Sequence, residues 1–302
     1  MKIQLLIMLF LFGLKLNGQV NNIVFLEKNT IYSKLNNKEK QELIIGFSEK
    51  YGKSLNQDTA YRKVIVDFFI DTIIANDRVN SALGGKLLLQ TVHLNEVSFN
   101  QKKKILALYD NGFFNLEITQ LIGLLGDRMF DNVLNKIYKN NSLKLKEYEK
   151  NILLYTLVRI GDENALKCVL DSLKSGYSQN EKILNQEFAE YLKSMCFISK
   201  KEVYNLFFEF IKNDNGKTII IGSYGGDPYG ADDNIYCTLS SFVIEILSNV
   251  LVDFPLNRVV CGKETDYEKL ETVKKWYENN SNFKYRYWHP YYGVNYNYWP
   301  SR

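Results

Sequence analysis

Residues 121–138 read LIGLLGDRMFDNVLNKIY, and residues 156–173, thirty-five positions on, read TLVRIGDENALKCVLDSL. At this offset Ile122 matches Leu157, Leu125 matches Ile160, Phe130 matches Ala165, Leu134 matches Val169 and Tyr138 matches Leu173. Apolar residues three and four apart put one greasy stripe along a helix. The stripe then meets a glycine, which can take the left-handed conformation that closes a helix. The aspartate after it can accept hydrogen bonds from the free amides of the next helix. Two copies of a helix–turn–helix hairpin are therefore expected around Gly126-Asp127 and Gly161-Asp162.

Working outward, helical periodicity runs from about residue 38 to residue 212. A looser third copy places Val203, Leu206, Phe207 and Phe210 where Leu166, Val169, Leu170 and Leu173 stand in the second. Ile198-Ser199 replaces Gly-Asp there, with Ser199 the expected cap. Segments 57–75 with 77–92, and 98–110 with 113–125, have the lengths of two earlier pairs but no recognisable turn motif.

The stretch LVRIGDENALKCVLDSL at 157–173, and more weakly LIGLLGDRMFDNVL at 121–134, resembles the HEAT-repeat and armadillo-like proteins. The resemblance implies a fold more than a reaction: an all-α, right-handed α-solenoid of stacked antiparallel helix pairs over residues 19–282, presenting its surface to another macromolecule. Physics agrees, because a lone hairpin buries its apolar face only by stacking on its neighbours.

Two segments break the helical pattern. Residues 216–237, GKTIIIGSYGGDPYGADDNIYC, carry β-like runs at Thr218 to Ile221 and Asn234 to Cys237 around a glycine-rich middle, which reads as an inserted β-hairpin or ordered loop. Helix is expected again over Leu239 to Leu251 and Tyr267 to Glu278. The tail, residues 283–302, is the other exception. Nine of its first seventeen residues are aromatic, Phe283 to Trp299, which suits either packing against the last helices as a terminal cap or stacking on a ligand. The candidate binding residues are Tyr287, Trp288, His289, Tyr291, Tyr292 and Trp299. Carbohydrate recognition through Trp288, Tyr291 and Trp299 is one alternative reading.

The first eighteen residues place Lys2 before an apolar run from Leu5 to Leu14 and a polar stretch ending at Gly18. That is the layout of a secretory signal, and the run is too short for a stable membrane span. A cut between Gly18 and Gln19 is expected, giving an exported, periplasmic or secreted chain. It would remove Lys2 and Lys15 from a total formal charge of +4, so the mature protein is nearly neutral. Nucleic acid, which needs clustered cations, is not an expected partner. No cysteine precedes Cys168, which leaves no thiol after the signal for a lipid. Of Cys168, Cys196, Cys237 and Cys261, the pair Cys237 and Cys261 is the favoured disulfide. Cys168 and Cys196 read as small apolar residues on packed helices.

Chemistry is sparsely provided. Two histidines, His93 and His289, are too few and too far apart in sequence for a multi-histidine metal site. The glycine-rich insertion lacks a following Gly-Lys-Ser/Thr, and Asp227, Asp232 and Asp233 would repel a phosphate without matching an EF-hand spacing. No GxSxG, HExxH or CxxC occurs. No catalytic residue, metal or cofactor is assigned. The expected role is a non-catalytic binding or scaffold protein with a protein partner, and a glycan as an alternative ligand. The competing class is a secreted hydrolase of glycan or peptide with a site near the insertion.

Overall fold

The computed structural model describes residues 32–51, 66–91, 97–140, 145–178, 182–213, 216–223, 234–256, 266–280, 282–285, 288–289 and 294–295. The expected signal segment 1–18, His93, the three aspartates of the insertion and Cys261 lie outside them. Helix predominates, and the described helices include none long and apolar enough to cross a membrane. The chain divides into two compact units, residues 1–160 and 161–302.

The first unit is helical throughout its described part. Helix α1 spans Asn37–Tyr51, followed by a π-helix at Phe69–Ile74, α2 at Ser81–Thr91 and α3 at Phe99–Asp110. Then come α4 at Leu116–Leu125, α5 at Asp131–Lys139 and α6 at Glu147–Ile160. Helices α2, α4 and α6 lie side by side in one row, while the π-helix, α3 and α5 form a second row against them. Small residues allow the close approaches. A Cβ on Gly84 would come within 2.9 Å of the Ile73 side chain in the π-helix. One on Gly85 would come within 3.1 Å of Glu117 and Ile118 in α4. Between α4 and α6, the Thr156 hydroxyl donates to the Thr119 carbonyl at 3.2 Å.

The helix ends follow from local chemistry. Ser98 and Gln101 form a reciprocal capping box on α3, and the Asn115 side chain accepts from the Ile118 amide at 3.0 Å to start α4. Gly126 closes α4 at φ 61°. Asp127 then accepts from the Met129 amide at 3.1 Å and pairs with Lys102 at 2.8 Å. The repeat positions Ile122, Leu125, Phe130 and Leu134 are buried, but Tyr138 is exposed and Ile137 is buried instead. A 3₁₀ turn at Arg128–Phe130 leads into α5. Along α5 the buried stripe runs through Val133, Leu134 and Ile137, and Tyr138, about 100° beyond Ile137, falls off its edge.

The second unit opens with Gly161 at φ 103° and Asp162 accepting from the Ala165 amide at 2.9 Å. It holds α7 (Glu163–Ser178), α8 (Gln186–Ser194), a 3₁₀ turn at Met195–Phe197, α9 (Lys201–Lys212), α10 (Leu239–Val250) and α11 (Tyr267–Asn279). Helix α9 packs against α7, α10 and α11. Its residues Val203, Leu206, Phe207 and Phe210 are all buried. Ser199 is not the cap of α9; that position belongs to Lys200, which makes no side-chain cap bond. Ser199 instead sits at φ 51°, the left-handed conformation that glycine supplies in the other two turns.

The helix packing fits the all-α class, with one small sheet where the β-like insertion was expected. Strands β1 (Ile183–Leu184), β2 (Thr218–Ser223) and β3 (Asn234–Thr238) form a three-stranded sheet in that order, with β1–β2 parallel and β2–β3 antiparallel. The β2–β3 pair is the hairpin read from the insertion; β1 was too short to show a period. Leu184, Ile219 and Cys237 are neighbours across the sheet and face its buried side, with α8 and α10 against it.

Candidate functional site

The first residues of the aromatic tail, Phe283 and Tyr285, pack half-buried against the second unit's helices. Phe283 stacks on Phe208 at 5.5 Å between ring centres and lies 6.1 Å from both Trp276 and Tyr277. Tyr285 packs 5.2 Å from Tyr204 and bridges to Leu251, while the Val252 amide donates to the Lys284 carbonyl at 2.8 Å. Burial, aided by the Glu202 carboxylate, pushes the Tyr285 hydroxyl up to about 12. Offset rings at these separations contribute about 0.5–1.5 kcal/mol beyond their area. The start of the tail is therefore a cap on α9 and α11.

Of the six candidate binding residues, Trp288 and His289 form strand β4. It pairs antiparallel with β5 (Val294–Asn295), Trp288 opposite Asn295 and His289 opposite Val294. The β4 backbone approaches the Met195–Phe197 turn. Tyr287, Tyr291, Tyr292 and Trp299 lie outside the described residues.

Cys237 is disulfide-bonded. Cys168 and Cys196 are free, which leaves Cys261 as the fourth cysteine of the chain. Cys196 is buried, as expected of a small apolar residue, and burial pushes its thiol up. Cys168 is exposed, contrary to expectation. The buried stripe of α7 runs through Ala165, Leu166, Val169 and Leu173, and Cys168 falls off its edge, one residue or about 100° from Val169.

A polar centre that the sequence reading missed lies in the first unit, at the end of the π-helix. The ring ends with the Ala75 amide donating to the Ile70 carbonyl at 3.0 Å. Two residues on, the Asp77 carboxylate gathers three donors on one oxygen: Tyr32 hydroxyl at 3.1 Å, Lys40 Nζ at 3.0 Å and Asn80 Nδ2 at 3.0 Å. Its other oxygen accepts from the Asn80 amide at 3.3 Å. Burial pushes the Asp77 carboxyl up, but the bonds from Asn80, Lys40 and Tyr32 outweigh it and hold the group below the usual carboxylate range. The Tyr32 hydroxyl is raised, first by burial and then by the charge of Asp77. Buried Asn80 keeps its side-chain oxygen without a partner among the described residues.

Asp71, inside the π-helix, pairs through Oδ1 with Lys104 of α3 at 2.9 Å. Its main-chain carbonyl accepts from the Asn76 side-chain amide. A cavity of about 330 Å³ is bounded here by Tyr32, Lys40, Asp71, Asn76 and Asp77. A second, of about 370 Å³, shares Asn76 and continues along α3 past Lys104, Ala107, Leu108 and Asn111. Periodicity could not single out these residues, because their meeting joins α1, the π-helix and α3. Among the described residues, no three His, Cys, Asp or Glu side chains group as a metal site. The chain matches no protein-family model, no curated protein and no solved structure.

Proposed function

We propose that this chain is an exported, non-catalytic binding or scaffold protein whose HEAT-like helix pairs form a right-handed α-solenoid that presents a surface to a protein partner. The observation that carries the reading is the two-row order of the first unit, in which each helix covers the apolar flank of its next-but-one neighbour. That is the nearest-neighbour stacking of repeat architectures, which typically serve as extended binding surfaces. The shared turn chemistry of Gly126-Asp127 and Gly161-Asp162 supports it. The bonded state of Cys237 supports an oxidising compartment, periplasmic or extracellular.

The test is cross-linking capture from native envelope and medium with the chain lacking residues 1–18. It is repeated with the two most exposed large apolar residues among the described residues of the first unit replaced, Val79→Ser with Phe99→Ser. A protein that co-purifies in fixed ratio with the unaltered chain and is lost from the double variant is the expected result. A partner kept by that variant but lost when residues 286–302 are deleted would move recognition to the tail. Hydrolysis of a glycan or peptide by the purified chain would overturn the non-catalytic reading.

A further inference from the structure

We propose that the paired cavities at the end of the π-helix bind a neutral, hydroxyl-rich ligand, a sugar unit. The inference is independent of the scaffold reading and of the tail, since every residue it uses lies in the first unit. Four charged groups bound the site, Lys40 and Lys104 against Asp71 and Asp77, and they are matched as two ion pairs. The charges cancel, so a phosphate or an ammonium ligand would find no unmatched counter-charge.

What the site offers is a set of open hydrogen-bonding positions. Asp71 uses Oδ1 for Lys104, and its Oδ2 has no partner among the described residues. The Lys104 ammonium, half exposed, carries three N–H groups and spends one on Asp71. Asn76 and Asn111 each turn their side-chain N–H back onto a helix carbonyl, and their side-chain oxygens have no partner among the described residues. A carboxylate oxygen beside an ammonium suits a vicinal diol: one hydroxyl donates to Asp71 while its neighbour accepts from Lys104. The methyl of Ala107 and the edge of Leu108 supply an apolar wall for the C–H face of a ring. The two spaces, about 330 and 370 Å³, each fall in the range of small-ligand sites. The backbone that shapes them is a π-helix, a rare conformation that recurs at functional sites.

The experiment is saturation-transfer NMR and titration calorimetry on the full mature chain. The panel is glucose, galactose, mannose, N-acetylglucosamine and their linear oligosaccharides. Inorganic phosphate and spermidine serve as charged probes. At least one saccharide should bind, and Asp71→Asn should weaken it about tenfold, the loss of one charge-assisted hydrogen bond. Asn111→Ala, at an exposed position, provides a second reading if Asp71→Asn does not fold, and Tyr267→Ala, at an exposed position of the second unit, should leave the affinity unchanged. Tighter binding of oligosaccharides than of free sugars would identify a glycan chain as the source, and equal binding a free sugar. The proposal is overturned if no saccharide binds, if natively folded Asp71→Asn and Asn111→Ala both keep full affinity, or if a charged probe is the ligand that responds to Asp71.

Discussion

The two units bury their helices in different ways. In the first, helix covers helix: aliphatic side chains such as Ile73, Ile105, Ile118, Leu121 and Leu153 fill the space, and glycines at 84 and 85 let the backbones close up. In the second, strands and rings join the helices in the covering. The sheet lies against α8 and α10, and Phe208, Trp276, Tyr277 and Phe283 form one aromatic cluster. At Gly84 and Gly85 the helices approach too closely for a side chain to fit without a shift, whereas Phe283 and Tyr285 cover α9 and α11 with rings. The tail's aromatic residues do this in a few positions, because each ring buries a large area.

The contrast can be broken at its strongest point. Phe208→Ala removes the ring shared by Tyr277 and Phe283, and a cost of about 3–5 kcal/mol is expected. Hydrogen exchange should rise across α9, α11 and residues 282–285 while α2, α4 and α6 keep their protection. Equal loss in both units would show that they do not differ in this way. Breaking the Cys237 disulfide by reductant or by Cys237→Ala should cost about 2–4 kcal/mol, read as a lower denaturation midpoint. Its exchange signature should again be confined to the second unit.

In the first unit, Gly85→Leu drives a side chain into Glu117 and Ile118, where a Cβ alone already comes within 3.1 Å. Overpacking of about 1–3 kcal/mol is expected in chemical denaturation. The turns give a smaller, signed comparison. Gly126→Ala forces a side chain into the left-handed region and should destabilise by about 1 kcal/mol, whereas Ser199→Gly relieves the same conformation and should stabilise by a similar amount or less.

The smallest effect is on pH. Asp77 has a folded-state pKa below its unfolded value, so its contribution is full above about pH 4 and is lost as the pH falls through the folded value. Asp77→Asn should flatten the acid limb of the stability curve, measured by urea denaturation between about pH 5 and 2.

Much of this was legible along the chain because the governing forces are local. Helix stripes follow from the spacing of apolar residues, and caps follow from Asn, Asp, Ser or Thr three positions before the amide they satisfy, as at Asn115, Asp162 and Asn185. The hairpin at Thr218 and Asn234 showed in its β-branched runs. Tyr138 misled, because four-residue spacing from Leu134 allows it on the stripe, whereas Ile137, three residues on, takes the buried place. Ser199 misled because its hydroxyl suggests a cap, while the tight turn there needed a left-handed residue.

The candidate site belongs to the class that periodicity cannot reach. By itself the sequence determined which segments are helical, where the repeated turns fall, that the insertion carries β-like runs and that the tail is rich in rings, since each depends on neighbours within a few residues. Only the tertiary structure decided that Phe283 and Tyr285 are packed, that Cys168 is exposed, and that Tyr32, Lys40, Asp71, Asp77 and Lys104 surround the end of a π-helix. Those outcomes turn on distances between residues tens of positions apart, which are set by how the helices stack.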